Sequence, residues 1–120
     1  MGEGQAVLTM QLTDALKNSG GMIHGGAIAT IADSAAGAAC WSVVGEDKMA
    51  VTTDFNLSCL KSLFAGVITA EATILHAGRR FIRAEVSVKS EDALLARAGV
   101  SFMVIDRPGD KNKHATRVAS

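Results

Sequence analysis

One carboxylate stands in a run of small and apolar residues. In NSGGMIHGGAIATIADSAAGAA, residues 18–39, a glycine-rich loop leads into an alanine-rich segment whose only charge is Asp33. A carboxylate so placed can act as a general base or attack a carbonyl carbon directly. Gly25 and Gly26 stand where the segment would begin. A helix start leaves about four N–H groups unpaired and carries the positive end of the helix dipole, so glycines there let a carbonyl oxygen reach the backbone. That arrangement makes an oxyanion hole. Asp33 lies eight residues beyond Gly25, which is ~12 Å along one helix. A base or nucleophile and an oxyanion donor must each sit roughly 3 Å from the reacting group. If both act on one carbonyl, Asp33 must come from a second copy of the chain. Antiparallel helices about a two-fold axis would make two equal sites, and Gly26, Thr30, Ser34 and Gly37, on or beside the Asp33 side, would let the partner come close.

The same residues have plainer readings. A lone Asp in an apolar helix also serves as a structural acid bonded to backbone or to a polar strand face. Two glycines also serve as a turn into a helix. They do not form a phosphate loop, which requires a Lys that is absent here. Ser34, in ADSAA, lacks the GxSxG elbow and a matching His, which excludes the usual serine hydrolase pattern. His24, His76 and His114 form no metal-ligand pattern, and Cys40 and Cys59 form no CxxC pair. The two cysteines read as reduced core thiols, with no metal site.

The bounds agree with one compact domain. The chain has 120 residues, 48% hydrophobic and 20% charged, with Lys plus Arg equal to Asp plus Glu at 12 each. That size supports a single core, and the composition argues against disorder. A net charge of zero gives no footprint for nucleic acid or an anionic membrane. The apolar runs stop well short of a membrane span. The start, MGEGQAVLTM, lacks the basic and apolar regions of a signal peptide, so the expected location is the cytoplasm.

The elements that must position Asp33 follow from periodicity. Residues 6–12 read as a first strand and the cluster at 18–21 as a loop. A helix is expected from Gly25 to about Val44, with apolar spacing at Ala27, Ile28, Ile31, Ala32, Ala35, Ala38 and Ala39. It is apolar nearly all round, so something must wrap it. Strands are expected over 51–59, 67–75, 81–89 and 93–105. In the first, Val51, Thr53, Phe55, Leu57 and Cys59 share one side and Thr52, Asp54, Asn56 and Ser58 the other. In the last, Leu94, Ala96, Ala98, Val100, Phe102 and Val104 point inward. Short connections favour an antiparallel meander curling around the helix. The domain is expected to span 1–106, followed by a polar tail over 107–120. Trp41, Phe55, Phe64 and Phe81 read as core, with a possible role lining a pocket.

Asn18, His24-Gly25-Gly26, Asp33 and Thr52-Thr53-Asp54-Phe55-Asn56 stand in an order and spacing that resembles the hotdog-fold acyl-CoA thioesterases of the PaaI-like, phenylacetate-pathway type. The resemblance covers nearly the whole chain. It implies an α+β hotdog fold, one long central helix wrapped by a curved antiparallel sheet of about five strands. It also implies hydrolysis of an aryl- or medium-chain acyl-CoA, with no cofactor beyond the coenzyme A of the substrate. A homodimer with sites at the subunit interface is implied, pairing into a tetramer, with no nucleic-acid or membrane partner. The same resemblance gives Asp33, Gly25, Asn18, Thr52 and His24 catalytic positions. Asn18 would hold the attacking water or the thioester, Thr52 would orient that water or Asp33, and His24 would brace the oxyanion loop. Gly26 would border the substrate. By charge alone, Arg79 and Arg80, at the expected turn around Gly78, read either as a solvated hairpin tip or as contacts for the coenzyme A phosphates. Two departures bear on pocket shape: the chain starts close to the first strand, and SCLKSL lacks the proline usual after the second. The alternatives are a hotdog hydratase or dehydratase using His24 as proton shuttle, and a non-catalytic acyl-CoA-binding module.

Overall fold

A computed structural model describes residues 3–107; all but the first residue of the expected tail, His114 included, lies outside the described residues. Strand β1 (Gln5–Gln11) and a short 3-10 turn (Asp14–Leu16) precede helix α1 (Gly25–Trp41). Strands β2 (Lys48–Cys59), β3 (Val67–Ala77), β4 (Phe81–Ser90) and β5 (Ala93–Asp106) follow. They form one antiparallel sheet in the order β1-β3-β4-β5-β2, with the helix on its inner face.

Only β3, β4 and β5 form a meander. β2 does not pair with the next strand in sequence but lies on the far edge beside β5, while β3 pairs with β1 and β4. The connection over residues 60–66 carries the chain back past the start of the helix. There Leu63 O accepts from Ile23 N at 2.8 Å and Gly66 O from Leu12 N at 2.9 Å. A connection that bonds to the loop ahead of α1 explains why closeness in sequence did not dictate pairing.

Alternation holds where the ladder is regular. Ile68, Ala70 and Ala72 of β3 and Ile82, Ala84, Val86 and Val88 of β4 are all buried. Two irregularities change the expected faces. The β2 register shifts between Thr52 and Asp54, leaving Thr53 as an extra residue. Thr52 is therefore opposite Phe102, and Phe55 opposite Val100, all on the helix side. Strict alternation had put Thr52 and Phe55 on opposite faces. A second shift, between Val88 and Lys89 of β4, leaves Leu95 rather than Leu94 buried in β5.

The core is built from small residues on both layers. Ala32, Ala35, Ala36 and Ala39 of α1 have no exposed surface, nor do Ala70, Ala84 and Ala96 of the sheet. Short side chains let helix and sheet approach closely, and Ile68, Ile82 and Leu95 fill the space between, each contributing roughly 1.5–3 kcal/mol by burial. The helix stops at Trp41, not near Val44. Ser42 Oγ donates to Ala39 O at 2.7 Å and accepts from Gly4 N at 2.6 Å, tying that end to the start of β1.

The wrapping is one-sided. α1 touches β3, β1 and β4 most and β2 and β5 least. A stripe of Gly26, Thr30, Asp33, Ser34, Ala38 and Trp41 is consequently exposed in the protomer. Trp41, Phe64 and Phe81, expected in the core, are 61%, 61% and 46% exposed. The outer sheet face carries cross-strand ion pairs, Glu71 with Lys89 at 2.8 Å and Glu85 with Arg97, of the kind that contribute little at a surface.

Burial pushes the Cys40 thiol up to about 11, whereas Cys59 is exposed. The thiolate is the reactive form. Native protein should therefore give at most one equivalent of thiol to an aromatic disulfide reagent at neutral pH, with the second appearing in denaturant. Two fast equivalents in native protein would contradict the packing around Cys40.

Candidate active site

The loop ahead of α1 is pinned at both sides of its last turn. Ile23 N donates to Leu63 O, and His24 N donates to Leu16 O, each at 2.8 Å. Asn18 shapes the bend between them. Its Oδ1 accepts from Gly20 N at 2.9 Å and Met22 N at 3.2 Å, a side-chain mimic of a turn. The acceptor of this amide is thereby committed to the loop, and what it can offer outward is its NH2 group.

His24 is the helix N-cap, with extended backbone angles and Nδ1 accepting from Gly26 N at 3.0 Å. A ring nitrogen that accepts carries no proton, so the capping ring is the neutral Nε2–H tautomer. Gly26 contributes space to this cap, since a Cβ there would stand 3.2 Å from the ring. With the Gly26 N–H engaged, the two glycines differ. Gly25 N makes no hydrogen bond among the described residues, and a Cβ on Gly25 would meet nothing within 4 Å. One backbone donor is thus left unengaged, among the described residues, at the positive end of a seventeen-residue helix.

Two turns further on, Asp33 lines an open groove of about 390 Å³ with Ala29, Thr30, Ser34, Thr52 and Phe55. Its carboxylate forms no hydrogen bond or ion pair among the described residues. The acid is therefore neither neutralised by a cation nor spent on holding the fold. Thr52 reaches this groove because of the bulge at Thr53, whose Oγ1 donates to Ser101 O at 3.3 Å. Asp54, the other acid of the same motif, lies on the outer face, 3.6 Å from Arg83.

The structure brings Asp33 and Thr52 together and leaves Asn18, His24 and Gly25 outside their groove within one protomer. Arg79 and Arg80 sit elsewhere, at the β3–β4 turn closed by Gly78 N donating to Phe81 O at 2.8 Å. They border a depression of about 450 Å³ with Lys48 and Asp106. Lys48 holds the Asp106 carboxyl below its ordinary value through their ion pair. Lys48 carried no sequence signal as a member of this group, because the contact is made through strand pairing with β5. Ala29 could have been found, since it precedes Asp33 by one helical turn. Among the described residues no three His, Cys, Asp or Glu side chains could jointly hold a metal ion.

Comparison with known proteins identifies the family and the fold. The family model of the thioesterase superfamily matches residues 20–96. A conserved protein of Pseudomonas aeruginosa superposes with a TM-score of 0.83 at 33% identity, covering 87% of this chain and 83% of that one. A mutant of the phenylacetic acid degradation protein PaaI from Thermus thermophilus superposes with a TM-score of 0.79 at 26% identity, covering 86% and 87%. In sequence, the 1,4-dihydroxy-2-naphthoyl-CoA hydrolase of Listeria monocytogenes is 27% identical over 89 residues, 74% of this chain and 72% of that protein.

Proposed function

This chain belongs to the thioesterase superfamily and is a thioester hydrolase of the hotdog fold, and we propose that it converts an aryl- or medium-chain acyl-CoA to free acid and CoA. The observation that carries this reading is the pair of unspent groups on α1: the Asp33 carboxylate in its groove and the Gly25 N–H at the helix start. The substrate class is supported by the likeness to a protein described as a CoA-ester hydrolase.

The two groups are ~12 Å apart on one helix, so the proposal takes each site as shared between two protomers. The exposed stripe of small residues on α1 and the unpaired outer edge of β2 are the surfaces available for that pairing. The Gly25 N–H of one protomer polarises the thioester carbonyl. Asp33 of the other either removes a proton from water as that water attacks, or attacks itself to give a mixed anhydride with loss of the CoA thiolate. Water then cleaves the anhydride. Thr52 orients the water or the carboxylate, and the Asn18 NH2 donates to the water or the thioester oxygen. His24 holds the loop as cap. Arg79 and Arg80 contact the CoA phosphates, pairing of dimers gives a tetramer, and water is the only co-reactant. The cytoplasm is the proposed location; no helix among the described residues is long and apolar enough to cross a membrane.

Thiol release from a panel of phenylacetyl-, benzoyl- and straight-chain acyl-CoAs tests the reading, with substrate in large excess because Cys59 is exposed. Turnover of a subset with stoichiometric free acid is expected. Binding of these esters without thiol release, or hydration of an enoyl-CoA added to the panel with no thiol released from any ester, would overturn it.

A further inference from the structure

The Asp33 groove has a neighbour lined by other residues of the same helix and strand. One turn further along α1 a second, more enclosed space of about 40 Å³ opens between the helix and the sheet. Gly37, Cys40 and Trp41 of α1, Met49 and Ala50 of β2 and Phe102 of β5 line it. Its lining adjoins that of the groove on both walls. Gly37 follows Asp33 by four residues, on the same helical face and ~6 Å along, and Ala50 precedes Thr52 by two, on the same face of β2.

Two features of this slot are unexplained by the protomer's own packing. A Cβ on Gly37 would meet nothing within 4 Å, so the fold leaves room for a side chain there. Glycine inside a helix is less favourable than alanine, and no positive φ requires it at this position. Trp41 stands 61% exposed at the mouth yet is held in place. The Arg107 guanidinium lies 5.2 Å from its ring centroid, and that arginine is fixed by Arg107 N to Asp47 O at 2.9 Å and Nε to Glu46 O at 3.1 Å. The result is a narrow apolar slot with a vacant floor and a braced aromatic wall.

We propose that this slot receives the end of the substrate's acyl group, that Gly37 and Trp41 fix which acyl groups fit, and that the preferred class is a straight aliphatic chain of medium length. The inference rests on the reading of Asp33 given above. Size selects the class: an apolar cavity that takes benzene measures about 150 Å³, several times this slot, so an aryl ring is excluded from it and a chain end is not. Length selects the range. A butyryl group held at Asp33 ends before Gly37, whereas an octanoyl group reaches past it into the slot.

The test has a binding arm and a turnover arm. Trp41 is the single tryptophan of the chain, so its emission reports on the slot. The hydrolysis-resistant octyl thioether of CoA should shift or quench that emission, and the ethyl thioether should not. In turnover, wild type should prefer octanoyl-CoA to both butyryl-CoA and phenylacetyl-CoA. Gly37→Val should lower the octanoyl-to-butyryl ratio of kcat/KM roughly tenfold or more, the range for altered fit in an apolar pocket. Trp41→Ala should raise the phenylacetyl-to-octanoyl ratio. An emission response to the octyl ligand without any thiol release would support the slot while refuting the hydrolytic reading. Turnover with no emission response, a wild-type preference for phenylacetyl-CoA, or a Gly37→Val variant that loses all substrates equally together with its oligomeric state, would overturn the slot. The last of these would assign Gly37 to contact with the second copy.

Discussion

Gly25→Pro should leave the fold intact and lower kcat by about a hundredfold to a thousandfold, the usual cost of removing one oxyanion-hole donor. The substitution deletes one N–H and little else. Gly25 is the first residue of α1, a position that proline favours because its fixed φ suits the helix start. The preceding His24 has φ −72° and ψ 135°, the extended backbone that a following proline demands. A Cβ at residue 25 meets nothing within 4 Å. Gly25→Ala keeps the N–H, and a smaller loss than that of Gly25→Pro separates the missing donor from the glycine's space. Circular dichroism and thermal melting check the fold. If Gly25→Pro melts normally and turns over at the wild-type rate, the helix start plays no part in stabilising the oxyanion.

Asp33→Asn should reduce kcat by roughly a hundredfold or more, the range for losing an acid-base group. Its effect on stability should stay within about 0.5 kcal/mol, because the exposed Asp33 carboxylate has no partner among the described residues whose loss would be felt. A large drop in melting temperature with modest loss of rate would instead make Asp33 a structural acid. The two inactive variants can be combined to ask where the site lies. In a mixed dimer of one Gly25→Pro and one Asp33→Asn protomer, a shared site leaves one of the two centres with both groups intact. Such a dimer, isolated through two different tags, should regain about half the wild-type kcat. A site contained within one protomer would leave every centre damaged, and the mixed dimer would stay as inactive as its parents.

What the sequence made legible was what depends on local periodicity. Alanine spacing from Ala27 to Ala39 was enough to place a helix, and period-two alternation placed the inward residues of β3 and β4, because the ladders are regular over 69–74 and 81–88. Thr52 shows where this fails. A single extra residue at Thr53 flips the face of everything on one side of it, and nothing in the string VTTDFNL distinguishes a bulge from a straight strand. The edge position of β2 was equally hidden, because it depends on the 60–66 connection bonding to the loop ahead of α1. At the site, the glycine pair could be read as a helix start, but not that the His24 ring would occupy one N–H and leave the other. The depth of the helix was misjudged for a related reason: apolar residues all round α1 imply cover on every side, and the protomer supplies it on one.

The Thr53 bulge also bears on how a newly made chain avoids the wrong company. β2 (Lys48–Cys59) has no neighbouring strand on its outer side among the described residues, the kind of edge on which unrelated strands add and aggregates begin. An extra residue near its middle kinks the strand and breaks its hydrogen-bonding rhythm, so a regular strand cannot zip along its whole length. Lys48 and Asp54 add charge to that edge strand. The feature that turns Thr52 toward the groove therefore also works against indiscriminate edge pairing, because a strand that is merely extended cannot follow the kink.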